Sequence, residues 1–279
     1  VTAKRKDEDG PITGVQAFAE ELRAQREAAG LTQVQLAKLM GYSESVIAKL
    51  ETCRTIPSPQ HAARADEALR VPGTFRRSRQ AMLNRSYESW VRALLEMEDR
   101  ATVLRWWEPL VVPGLLQTEA YARAMICAGR PGDSDADVEQ MVIARISRQA
   151  IWERKDPPPP MLFAVLGEAI LRQRVGDARI MRDQLIHLAE MARNPRVTVQ
   201  VVPFGAAAHP GMLGPFLVAS FDTDRDSAYL DNALDGQVTE RRNQVARITL
   251  LYDSLRSVAL SPGESTELIM KVADETWRT

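Results

Sequence analysis

Only two cysteines and three histidines occur in these 279 residues. Cys53 and Cys127 lie far apart, and no Cys/His spacing suits zinc, so neither a disulfide framework nor a metal site is expected. A reducing cytoplasm is the expected setting. No apolar run approaches the roughly twenty residues that span a bilayer, so no membrane partner is expected. The first residues, VTAKRKDEDGP, are charged and lead into no apolar core, so no signal peptide is expected. They also lack an initiator Met, and we read residues 1–14 as a processed or trimmed start forming a flexible tail. A phosphate loop, a nucleophile elbow and a His-Glu-x-x-His pair are all missing. No catalytic residue, no cofactor and no enzymatic activity are therefore expected.

What is present is a globular composition, 45% hydrophobic and 26% charged. The length suits roughly two domains. Charge is split unevenly. Residues 1–80 hold thirteen Lys and Arg against ten Asp and Glu, a net of +3, and the remainder holds 23 against 27, a net of −4. A mildly basic head on a mildly acidic body suits a nucleic-acid-binding module carried by a body that avoids nucleic acid.

The most informative stretch is Leu31–Glu51, LTQVQLAKLMGYSESVIAKLE. Thr32 is a good N-cap, and Leu36, Leu39 and Met40 recur at helical spacing behind it. Gly41 breaks the run where a tight turn needs conformational freedom. Ser43 then caps a second short helix with Val46, Ile47 and Leu50 on its apolar side. Two short helices about a Gly-containing turn form a helix-turn-helix, whose second helix enters the DNA major groove. Ser43, Glu44, Ser45 and Lys49 occupy the exposed side of that helix, and Gln33 opens the helix before it. Ser and Gln can read base edges, Glu44 can accept from a cytosine amine, and Lys38, Lys49 and Arg54 suit phosphates.

The stretch resembles the repressor/Cro-type helix-turn-helix family. The pattern is carried by Leu31, Thr32, Gln33, Leu36, Ala37, Gly41, Tyr42, Ser43, Ile47, Leu50 and Glu51. The resemblance implies a structural ion pair between Arg23 and Glu51. It also places Cys53 where the family usually has Gly. A small residue tolerated in a turn and a redox-sensitive thiol are the two readings of that cysteine.

Around this motif, VQAFAEELRAQREAA (15–29) is helical with Val15, Phe18 and Leu22 on one face, and Gly30 ends it. Pro57 and Pro59 mark a loop and the start of another helix. Four to five helices thus make an all-α domain over residues 15–74. Arg76, Arg77 and Arg79 follow, placed to touch flanking DNA. The helical pattern then continues to Glu108, where Pro109 stops it. Thr118 caps a helix that runs through Cys127, and residues 137–154 form an amphipathic helix. DPPPP (156–160) is a stiff spacer. The stretch 75–160 is therefore expected to be a helical connecting or dimerisation region.

Beyond the spacer the texture changes. MLFAVLG, VTVQVVPF, PFLVASF and SAYLDNA read as strands, with helices over 179–192, over 238–259 and after Ser261-Pro262. The fold class is mainly α, with a helix-turn-helix domain, a helical segment and an α+β domain (161–279) holding a small, largely antiparallel sheet. The segments WEPLVVPGLLQTEAYARA, LGEAILR, VTVQVVPFGAAAHPG and LRSVALSPGES resemble the large C-terminal domain behind this helix-turn-helix in many actinomycete regulators. That resemblance implies an antitoxin-like or developmental regulator, encoded beside a small partner protein.

Trp106, Trp107, Tyr121, Glu168, Arg172 and His209 are the candidate ligand or partner site, with Gly205–Gly214 as a loop able to close over it. The expected function is a sequence-specific DNA-binding regulator, a repressor, acting on a double-stranded operator as a homodimer. Its effector would be a small molecule or a small protein. One rival is an antitoxin-like protein whose main task is binding its partner. The other is an enzyme carried on a DNA-binding head.

Overall fold

The computed structural model describes residues 11–86, 89–154, 157–231 and 236–278. Six helices come first: α1 (Pro11–Ala28), α2 (Gln33–Met40), α3 (Glu44–Glu51), α4 (Pro59–Leu69), α5 (Thr74–Ser86) and α6 (Ser89–Arg100). Contacts divide the chain into two units, Val1–Arg92 and Ala93–Thr279.

The first unit follows from local chemistry. On α1, Val15, Phe18, Ala19 and Leu22 are buried, the i, i+3, i+4, i+7 stripe of a core-facing helix. Thr32 and Gln35 form a reciprocal capping box on α2, and Gly41 ends that helix with φ +76°. Ser58 and His61 form another on α4, which starts with Pro59. The buried Asp66 accepts from the Phe75 N–H at 2.8 Å and the Arg76 N–H at 3.4 Å, so it caps α5 from within α4. Phe18, Leu22, Leu36, Met40, Ile47, Leu50 and Phe75 share one core, with Phe18 and Phe75 edge-on at 5.3 Å.

The helix α1 reaches into the expected tail. Pro11 opens it, where its missing N–H costs nothing, and Gly14 lies inside it. A Cβ on Gly14 would sit 2.8 Å from Met82 Cγ, so a tight packing contact holds this turn down. Residues 1–10 lie outside the described residues.

The second unit is built on β1 (Val103–Glu108), α7 (Glu119–Gly129), α8 (Asp135–Ser147), β2 (Met161–Gly167), α9 (Ala169–Arg172), α10 (Ala178–Met191), β3 (Val197–Val202), β4 (Phe216–Ser220), β5 (Ser227–Asp231), β6 (Gly236–Thr239), α11 (Arg242–Val258) and α12 (Pro262–Glu275). The six strands form one mixed sheet in the order β3-β2-β1-β4-β5-β6. β1, β2 and β3 are parallel, joined by helical crossovers, and β4, β5 and β6 add antiparallel pairings. This is the expected α+β fold.

Three expectations about this region are corrected. Val103–Glu108 is not the end of a helix but a central strand, pairing Trp106 with both Ala164 and Leu217. Its Leu104, Trp106, Trp107 and Glu108 are all buried, because both sheet faces are covered. Second, Gly236–Thr239 is strand β6, so the following helix starts at Arg242, not Val238. Third, the proline run does not separate two bodies. Met161 N–H donates to Thr102 O at 2.9 Å directly after Pro160, and Arg196 donates to Pro159 O. Lys155 and Asp156, and Asn232 and Ala233 of the SAYLDNA segment, lie outside the described residues.

Successive side chains on a strand point to opposite faces, so Trp106 and Trp107 look opposite ways. Trp107 packs with Val165, Val218, Ala228, Tyr252 and Leu255 beneath α11. The Tyr252 hydroxyl donates to Phe163 O at 2.8 Å, tying α11 to β2.

Candidate nucleic-acid interface and a cleft in the second unit

The angle between α1 and α3 is fixed by one buried carboxylate. Glu51, 3% exposed, ends α3. Its Oε1 accepts from Arg26 Nε at 2.6 Å, and its Oε2 from Arg26 Nη2 at 3.1 Å and Gln33 Nε2 at 2.8 Å. Arg26 also donates from Nη1 to Leu31 O. A two-pronged guanidinium–carboxylate pair is directional, so three helices meet in one geometry. The pairing expected for Arg23 is present at the edge of ion-pair distance, but the closer, two-pronged partner of Glu51 is Arg26. Arg23 is 51% exposed, 3.8 Å from the carboxylate, and donates instead to Glu51 O at 2.9 Å. The two arginines are one helical turn apart, so the spacing alone could have suggested either.

The candidate DNA-contact residues then fall into two groups. Ser43, Glu44, Ser45, Lys49, Lys38 and Arg54 are exposed. Ser43 stands at the N-cap of α3 in extended conformation without a side-chain cap bond. Ser45 and Lys49 follow each other at i, i+4, and neither side chain has a partner among the described residues. The unpaired N–H groups of this helix end favour anions such as phosphate. Gln33 is half-buried and spends an amide donor on Glu51, a structural task the sequence did not reveal. Arg76, Arg77 and Arg79 at the start of α5 also serve the unit's own loops: Arg79 donates to Pro57 O, Arg77 to Pro72 O, and Arg76 lies 3.5 Å from Asp66.

Cys53 has φ +58°, the left-handed conformation in which Gly is favoured after a helix. Burial pushes its thiol pKa up, which lowers its thiolate fraction and counts against a redox sensor. His61, unremarked in the sequence, is buried. Its Nδ1 accepts from the Ser58 N–H at 3.1 Å, and its ring stands edge-on to Tyr42 at 4.8 Å, supporting the turn between α2 and α3. Burial, with the charge of Arg79 added, drops its pKa to about 4.

In the second unit the six candidate residues do not form one site. Trp107, Glu168 and His209 line a cleft of about 390 Å³ at the carboxyl ends of β1, β2 and β3. Ligands of parallel sheets bind at this end of the strands. Glu168 Oε1 accepts from Arg172 Nε at 2.7 Å, and Oε2 accepts from the Phe204 N–H at 2.7 Å. That carboxylate therefore ties the loop after β3 to the end of β2. Trp107 Nε1 donates to Gly211 O at 3.0 Å, and its ring meets His209 edge-on at 5.6 Å. A Cβ on Gly211 would come within 2.5 Å of the Trp107 ring, so the loop lies flat against the indole.

Trp106 and Tyr121 belong elsewhere. Trp106 Nε1 donates to Glu108 Oε1 at 3.2 Å, and the Tyr121 hydroxyl accepts from the Val112 N–H. Glu108 escaped the sequence reading. Burial, reinforced by the charge of Asp231, raises its carboxyl to about 8, although the Trp106 bond opposes the shift. Across Tyr121, burial and the neighbouring Arg148 bring Arg145 down to about 10. Among the described residues no group of three or more His, Cys, Asp or Glu is placed to hold a metal ion. Nor is any described helix long and apolar enough to cross a membrane.

Comparison with known families agrees with this division. A helix-turn-helix domain model matches residues 17–78, and a model described as a domain of unknown function, DUF5753, matches residues 91–271. No curated protein and no solved structure matches the chain. The first match supports a DNA-binding regulator. The second spans well over half of the sequence, and the chain belongs to the DUF5753 family, carrying its family domain behind a helix-turn-helix.

Proposed function

We propose that this protein is a transcriptional repressor that reads an operator through the exposed face of α3. Residues 93–279 then serve dimerisation and the sensing of a ligand or a small protein partner, without a catalytic role. One observation carries the reading. The buried Arg26–Glu51–Gln33 junction makes α3 a rigid probe, while Ser43, Glu44, Ser45 and Lys49 stay exposed to meet DNA. A single helix of eight residues makes few base and phosphate contacts. A two-fold dimer doubles them on half-sites about one helical turn apart.

The test is selection from random duplex DNA by the full chain, followed by titration of binding against salt. An enriched inverted repeat, with a steep salt dependence from several phosphate contacts, is the expected result. Recovery of unenriched DNA would remove the operator from the account. Weight would then move to the antitoxin-like reading, in which binding a small protein is the main task.

A further inference from the structure

The cleft at the carboxyl ends of β1, β2 and β3 has a chemistry of its own. Its side chains are almost all apolar: Trp107, Pro109, Val202, Phe204, the alanines 206–208 and Met212. Of its ionisable members, Glu168 is already bonded on both oxygens. The Nδ1 of His209 is buried and has no hydrogen-bond partner among the described residues. A charged ligand would leave water here for a mostly apolar lining whose one carboxylate is already engaged, which is costly. Three successive alanines leave open space that larger side chains would fill. The volume is within the range of small-molecule pockets, about 300–1,000 Å³. At the mouth, Phe204 is 66% and Met212 73% exposed, a large solvent-facing apolar area that a bound ring would cover. Methionine adapts its shape to such a partner.

We propose that this cleft binds a small, uncharged, predominantly apolar ring compound, held between the Ala206–Ala208 stretch and the Phe204 and Met212 side chains. This rests on the reading of residues 93–279 as a sensory body. It goes further by fixing the site and the ligand class.

The test uses two fluorescent probes that share one ring skeleton. N-phenyl-1-naphthylamine is neutral, and 8-anilinonaphthalene-1-sulfonate adds a sulfonate. The neutral probe should bind the full chain saturably at one per chain, at least tenfold more tightly than the sulfonate. Ala207→Trp fills the space from an exposed position and should weaken the neutral probe at least tenfold, with an unchanged melting temperature. Phe204→Ala should weaken it several-fold. Unsaturable binding, equal affinity for both probes, or indifference to both substitutions would overturn the proposal. Duplex-DNA binding is measured on the same preparations. A protein that binds DNA but not the neutral probe refutes the cleft alone. A protein that binds the probe as expected but no DNA refutes the regulator reading and upholds the cleft.

Discussion

Replacing Glu108 by Gln should make the protein more stable at pH 8 and leave it unchanged near pH 5. Glu108 is 7% exposed and accepts a hydrogen bond from Trp106 Nε1. Burial raises its carboxyl from 4.5 to about 8. Between those values the native state holds a proton that the unfolded chain has released. Stability must therefore fall as pH rises through this window, then level off above about 8. At roughly 1.4 kcal/mol per pH unit the ceiling is about 5 kcal/mol, and local relaxation with water entry brings the observable effect to roughly half of that. Gln keeps an acceptor for the indole N–H and has no charge at any pH. The slope should vanish in Glu108→Gln, with the two proteins equal near pH 5 and the variant ahead by about 2 kcal/mol at pH 8. Urea unfolding followed by tryptophan fluorescence reads this directly, since four of the five tryptophans lie in residues 93–279. Parallel pH profiles for the two proteins would refute the burial of an uncharged Glu108.

Three further outcomes concern the helix-turn-helix unit. His61 is held neutral with its pKa at about 4, below its ordinary 6.5, so its contribution is complete above pH 6.5 and is lost as pH falls towards 4. Urea unfolding of His61→Gln, which can retain the capping geometry without titrating, should show a flatter acid limb. Cys53→Gly should raise stability by about 1 kcal/mol in thermal unfolding, because it relieves a left-handed residue. Arg26→Ala should cost about 3 kcal/mol by leaving Glu51 buried without its cation, whereas Arg23→Ala should stay within about 1 kcal/mol. Equal costs would contradict Arg26 as the principal partner of Glu51.

The first unit was legible because its signals are local. Thr32, Gly41, Ser58 and Pro59 act within a turn of their own position, and the apolar stripes of α1 and α2 are set by helical period alone. Arg23 and Arg26 both reach Glu51, and which of them makes the close, two-pronged pair depends on the angle at which two helices cross, a tertiary property. Strand β1 was hidden for a different reason. Only Ala101 and Thr102 separate α6 from Val103, with no Gly or Pro between them. A strand buried on both faces lacks the alternation that marks a half-exposed one. Glu108 consequently read as the polar end of a helix, when it is a buried acid at the end of a central strand. The cleft joins Trp107, Glu168 and His209 from the ends of three segments brought together by parallel pairing, so sequence proximity could not group them. Sequence did mark the loop that closes this end, through Gly205, Pro210, Gly211 and Gly214.

The central claim is that the exposed face of α3 reads DNA sequence. It is tested most directly by comparing Ser45→Ala and Lys49→Ala with the unaltered protein on the selected operator and on random duplex, across a salt series. If Ser45 reads a base, Ser45→Ala should lower the specificity ratio by roughly 1–3 kcal/mol. If Lys49 clamps a phosphate, Lys49→Ala should weaken both DNAs alike and lower the salt slope by about one. Identical specificity ratios and identical salt slopes in all three proteins would contradict the assignment of α3 as the reading helix.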